Sequence, residues 1–139
     1  MKPERTLVII KPDAVERGLV GEIIKHFENA GVHVRAIKIM TLDRARAEDF
    51  YTEHEGKPFF EELVSYITCA PIVAIIAEGQ GCVEKVRKII GDTDPVKAEQ
   101  GSIRNLYAIS KEVNSVHASD SGFAAYRELN CLFDSKFVA

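Results

Sequence analysis

Short β-branched runs alternate with stretches whose apolar residues recur at helical spacing, and this strand–helix–strand order occurs twice within 139 residues. Two further helix-like segments separate the units, and a last one follows them. These observations predict an α+β fold of the split βαβ, ferredoxin-like kind. It is a four-stranded antiparallel sheet with helices packed on one face and the helical pair inserted between strands 2 and 3. No repeat or low-complexity tract divides the sequence, so residues 1–139 are read as one domain. RNA-recognition domains share this order of elements, and the fold alone therefore leaves function open.

TLVII at 6–10, ended by Lys11 and Pro12, reads as a buried strand. LVGEIIKHFENAG at 19–31 puts Val20, Ile23, Ile24 and Phe27 on one helical face, with Gly31 as a C-terminal stop. VHVRAIKIMT at 32–41 alternates through Val32, Val34 and Ala36, then loses parity at Ile37 and Ile39. That slip predicts a bulge or a strand covered on both sides. Asp43 opens a polar helix at 43–54, and Pro58 starts a second helical stretch, FFEELVSYI. PIVAIIAE at 71–78 is another buried strand, and GCVEKVRKII at 81–90 a helix with Val83, Val86 and Ile90 inward and Gly91 closing it. After a loop at 91–101, SIRNLYAIS at 102–110 reads as the last strand. In NSVHASDS at 114–121, Ser119, Asp120 and Ser121 are helix-start residues for FAAYRELNCLF.

Apolar residues make up 46% of the chain and charged residues 28%, as in a soluble globular protein. The net charge of −3 argues against general affinity for nucleic acid. An anionic ligand would need a few well-placed cations in a cleft. Cys69, Cys82 and Cys131 show no CxxC spacing and read as reduced, mostly buried thiols of a cytoplasmic protein. The four consecutive apolar residues before Lys11 are too few for a signal-peptide core or a membrane span, so no membrane partner is expected.

No Walker loop, GxGxxG, HExxH or EF-hand loop occurs, so no metal site built by the protein is expected. Isolated cations remain as candidates. Lys11 is either a solvated sheet-edge lysine or a point charge held at a strand end by Pro12. Arg87 either complements its helix dipole or binds phosphoryl oxygens, and Arg104 is either a solvent-facing strand arginine or a phosphate ligand. His26, His33 and His54 are assigned to surface or packing roles. His117 could attack phosphorus as a neutral imidazole, and the resulting phosphoramidate keeps a high transfer potential, which suits reversible exchange.

Read together, the segments resemble the nucleoside diphosphate kinase family from about Glu4 to Phe133. TLVIIKPDAVERGLVGEII is similar to its opening strand, KPD motif and first helix. EGKPFFEELVSYITCAPIVAI is similar to its helical pair and third strand, GDTDPVKAEQGSIR to its phosphate-facing loop, and NSVHASDS to its active-site motif. The resemblance implies ping-pong transfer of the γ-phosphoryl group from a nucleoside triphosphate to a nucleoside diphosphate through a phosphohistidine at His117. Glu128 and Ser119 would orient the ring, with Tyr51 packed beside it. Lys11 and Asn114 would contact the sugar, with Lys11 also near the transferred phosphate. Arg87, Thr93 and Arg104 would bind the distal phosphates, while Phe59 stacks on the base and Leu63 lines that slot. Mg²⁺ would arrive on the nucleotide, with ATP, GTP and others as substrates. Family members are homo-oligomers, commonly hexamers and sometimes tetramers.

Three departures from the family pattern stand out. Ala118 follows the histidine where glycine is usual, which requires that the backbone there avoid positive φ. Asn105-Leu106-Tyr107 replaces the usual Gly-Asp-Phe, and Ser102 the usual threonine. Alternative readings are a catalytically silent nucleotide-binding scaffold of the same fold and an RNA binder. The retained His117, Lys11 and two arginines oppose the first. The missing aromatic pattern and the acidic balance oppose the second.

Overall fold

The computed structural model describes residues 3–138. β1 (Glu4–Ile10) is followed by a short α1 (Pro12–Glu16), then α2 (Val20–Asn29), β2 (His33–Met40) and α3 (Arg44–Phe50). A single 3₁₀ turn, Thr52–His54, precedes α4 (Phe60–Thr68), β3 (Ile72–Gly79) and α5 (Cys82–Ile90). Then come α6 (Ile103–Tyr107), β4 (Val116–Ala118), α7 (Gly122–Leu132) and α8 (Ser135–Val138). The sheet order is β2-β3-β1-β4 with every neighbouring pair antiparallel, as the split βαβ reading predicts.

Helices cover both faces of the sheet, not the single face expected. Leu7, Ile9, Ile72, Ala74 and Ile76 pack under α3, α4, α7 and α8. Val8, Ile10, Val73, Ile75 and Ala77 pack on the other face against Ala14, Ile23, Phe27, Val86, Ile90 and Ile103. The cause lies in β1 and β3 themselves. Their apolar runs are unbroken, so both sides need cover from water. β2 is an edge strand and carries the expected irregularity: its register steps from Val34↔Ala77 to Ala36↔Ile76, leaving Arg35 as the extra residue. Beyond it Ile37 and Ile39 are 51% and 72% exposed. All three cysteines are free; Cys82 alone is buried, while Cys69 is exposed at the C-cap of α4 and Cys131 half-buried.

The fourth strand is not where the sequence reading put it. SIRNLYAIS forms α6, because the Ser102 hydroxyl caps the Asn105 amide at 3.4 Å and starts a helix just after Gly101, whose φ is +88°. The strand is VHA, three residues long, and pairs Val8↔Ala118, Ile9↔His117 and Ile10↔Val116 with β1. Ala118 is a 1% exposed core residue there and has no positive φ. Among the described residues, the non-glycine at positive φ is Ser115, at 73°.

A candidate phosphoryl-transfer site at the edge of the sheet

β4 decides which way His117 points. Its side chains alternate, so Val116 and Ala118 enter the core shared with α5 and α6 while His117 faces the layer of α3 and α7. There the ring meets Phe50 edge-on, with centroids 5.2 Å apart. Ser121 caps α7 by accepting from the Ala124 amide at 3.0 Å, and that helix brings Glu128 to the ring. Glu128 Oε1 lies 2.8 Å from His117 Nε2 and also accepts from the Ser119 hydroxyl at 2.8 Å. Burial alone would push the Glu128 carboxyl up. The hydrogen bond and charge of His117, the Ser119 hydroxyl and nearby Arg127 outweigh it, and the pKa falls below the ordinary carboxylate value. An ionised Glu128 makes Nε2 the protonated nitrogen, leaving the lone pair on Nδ1.

As the edge strand, β4 has outward carbonyls without strand partners, and arginines take them. Arg104 Nη2 donates to Val116 O at 2.8 Å and its Nη1 to Gly91 O at 3.1 Å, while Arg87 Nη1 donates to Ala118 O at 3.1 Å. Arg104 is 4% exposed, and its Nε is buried with no hydrogen-bond partner. Burial, then the neighbouring Arg87, lower its pKa to about 10 against the pull of Asp92, so it stays charged at neutral pH. The reading of Arg104 as a solvent-facing strand residue is thus corrected on both counts.

Lys11 continues the parity of Leu7 and Ile9, which turns it toward the same side as His117. It is 7% exposed rather than solvated, and its Nζ donates to Asn114 Oδ1 at 2.9 Å. Burial, reinforced by the charge of Arg104 and opposed by Asp13, lowers its pKa to about 8.

These groups converge on one cleft of about 830 Å³. Its walls include Lys11, Tyr51, Phe59, Leu63, Arg87, Thr93, Arg104, Asn114, His117 and Glu128, ten of the eleven site residues expected from the sequence. Ser119, the eleventh, stands behind Glu128. Tyr51 is buried beside Phe50, and burial together with the charge of Glu128 raises its pKa, so its phenol stays protonated. Phe59 is 43% exposed at the mouth, with His54 tilted against it at 5.4 Å. Among the described residues no group of three or more His, Cys, Asp or Glu is gathered to hold a metal ion.

A model of the nucleoside diphosphate kinase family matches residues 4–138. The chain belongs to that family. It is 50% identical over 133 residues to a nucleoside diphosphate kinase of Staphylothermus marinus, covering 96% of this chain and 94% of that one. The protein of the same name from Ignicoccus hospitalis is 52% identical over 130 residues, covering 94% and 88%. The fold is similar to a crystal structure of the Aquifex aeolicus nucleoside diphosphate kinase, with a TM-score of 0.94, 38% identity and 99% of each chain covered.

Several cleft residues escape a family-motif reading. Phe50 lies in a helix that reads as polar, and His54, read as a surface or packing residue, packs against Tyr51 in the wall of the cleft. Asp13, Tyr66 and the buried Ser115 form a half-buried cluster beside Lys11. Asp13 lies within KPD and Ser115 within NSVHASDS, but neither motif assigns them a role or links them to Tyr66.

Proposed function

We propose that this chain is a nucleoside diphosphate kinase acting by ping-pong exchange through His117. The observation that carries the reading is the pairing of His117 with Glu128 at 2.8 Å in a cleft also lined by the buried Lys11 and Arg104 and the exposed Arg87. With Nε2 held by the carboxylate, Nδ1 attacks the γ-phosphorus of a nucleoside triphosphate. The P–N bond forms as the bond to the β-phosphate oxygen breaks, and the electron pair leaves on the diphosphate. A second diphosphate attacks the phosphohistidine along the reverse path.

Lys11, Arg87 and Arg104 neutralise the phosphoryl oxygens, and acceleration comes from this charge together with the fixed ring. Thr93 donates its hydroxyl to the distal phosphates, and Lys11 with Asn114 holds the sugar. Phe59 stacks on the base and Leu63 lines the slot, an arrangement that tolerates any base. A nucleotide bringing its own Mg²⁺ would add that ion's neutralisation of phosphate charge to that of Lys11, Arg87 and Arg104.

The same reading makes the chain a single catalytic domain, working in the cytoplasm as a homo-oligomer, hexameric in preference to tetrameric. The exposed Ile37 and Ile39 on the edge strand support assembly, because such an edge invites cover. Light scattering tests it.

Labelling with γ-³²P-ATP tests the chemistry. The wild-type chain should form an acid-labile, base-stable phosphoenzyme, and His117→Ala should fold yet take no label and exchange no phosphate. Normal turnover by that variant would sink the assignment. A nucleotide-binding wild type that never labels would leave the silent scaffold.

A further inference from the structure

We infer that Asp13 is a positioning residue for the nucleotide site, its carboxylate clipping the end of β1, the approach to β4 and helix α4 into one arrangement. This rests on the phosphoryl-transfer reading of the cleft. Asp13 Oδ2 accepts from the Ser115 hydroxyl at 2.8 Å, and Oδ1 accepts from the Tyr66 hydroxyl. Arg17 Nη1 stands 3.7 Å from Oδ2. The carboxylate is 7% exposed, so these partners meet most of its hydrogen-bonding capacity away from water.

What the clip holds is strained. Val116 N donates to Asn114 O at 2.9 Å across Ser115, whose φ is +73°. A bond from residue i to i+2 around positive φ is the rarer, strained kind of γ-turn. Such a conformation persists only where its surroundings over-determine it. Here they do. The Ser115 hydroxyl is tied to Asp13, and its carbonyl accepts from the Lys11 amide at 2.9 Å. The turn sets Asn114 against the Lys11 ammonium and leads into β4, which starts one residue before His117. Tyr66, held by the other carboxylate oxygen, keeps its ring 6.0 Å from Lys11 Nζ and lines the cleft. Asp13 thus fixes, through three segments far apart in sequence, the two groups read as sugar and phosphate ligands.

Ser115→Ala and Ser115→Gly separate this role from plain stability. Both remove the hydroxyl, but glycine adopts positive φ without strain. Ser115→Ala should raise KM for the diphosphate and lower kcat/KM by up to about 100-fold, since small misplacements cost that much. Ser115→Gly should recover most of the loss, whatever either does to the melting temperature. Asp13→Asn keeps shape and some hydrogen bonding but removes the charge. The groups facing the Lys11 ammonium are Asp13 from α1, Tyr66 from α4 and Arg104 from α6, with Arg87 and His117 across the cleft. Asp13 is the one that raises its pKa, so Asp13→Asn should move the alkaline limb of kcat/KM to lower pH. A purely structural residue would not shift that limb. Equal kcat/KM for Ser115→Ala and Ser115→Gly, or an unmoved limb in Asp13→Asn, would overturn the inference. A wild-type chain that forms no phosphohistidine would instead overturn the reading it rests on.

Discussion

Replacing Lys11 by methionine should make the fold more stable at neutral pH and nearly abolish phosphoryl transfer. The ammonium is 7% exposed, and burial with the charge of Arg104 lowers its pKa from 10.5 to about 8. A shift of that size corresponds to a penalty of about 3 kcal/mol for keeping the charge in the folded state. Methionine has similar length and no charge, so the penalty disappears. Against it stands the lost bond to Asn114 Oδ1, worth about 1 kcal/mol. The net gain is about 2 kcal/mol at pH 7, or about 8 °C in melting temperature for a chain of this length.

The pH dependence makes the argument refutable. Below pH 8 the lysine is charged in both folded and unfolded chains, and the whole penalty is present. Between about 8 and 10.5 the folded state has released the proton and the unfolded state has not, so wild-type stability rises with pH. Above 10.5 the penalty has gone, while a neutral amine still donates to Asn114. The methionine variant should therefore be the more stable at pH 7 and the less stable by about 1 kcal/mol near pH 11. Denaturant melts of both proteins at one protomer concentration, from pH 7 to 11, measure the difference. A variant no more stable than wild type at pH 7, or an advantage undiminished at pH 11, would refute the reasoning.

Glu128→Gln should lower kcat by about 100-fold or more, because an amide neither fixes the imidazole tautomer nor balances positive charge on the ring. Rapid-quench phosphorylation of the enzyme measures this. The folded carboxyl has a lowered pKa, so its stabilising contribution is present above the unfolded value near 4.5 and is lost as pH falls through the folded one. Acid melts of Glu128→Gln should lack that component. Gly91→Ala would put a methyl group onto the Ser102 side chain, with Cβ 2.8 Å away, at a φ of +87°. It should cost about 2–3 kcal/mol in denaturant melts and raise nucleotide KM, since Gly91 O anchors Arg104.

Most helices and three strands were legible because their signals are local. The β-branched runs of β1 and β3, the apolar face of α2 and α5 and the Asp43 cap of α3 are written in adjacent residues. β4 was not. Three residues cannot display alternation, and VHA is a strand only because β1 presents a free edge to it. SIRNLYAIS looks more strand-like, yet Leu106 and Ile109 remain 50% and 63% exposed, so they are not the buried face that a strand reading implies. The site was legible as a set of residue types matched to a family motif. Which of those residues are buried, and what holds them, was not. The bonds from Asp13 to Tyr66 and Ser115 span 53 and 102 residues and leave no pattern in either neighbourhood.

The way the cations are held explains why they can serve an anionic substrate. Among the described residues, Lys11, Arg87 and Arg104 form no close ion pair with a carboxylate. Carboxylates would have neutralised the arginines and competed with phosphate. Backbone carbonyls of the edge strand hold them instead, through bonds of 2.8 and 3.1 Å that fix direction and leave the charge uncancelled. Burial of that charge is what depresses Arg104 and Lys11. On the proposed reading, a polyphosphate entering the cleft would supply counter-charge to these cations and relieve the cost of their burial. The short fourth strand is therefore more than a platform for His117. Its outer edge also positions the two arginines that, in the proposed reaction, face the phosphoryl group.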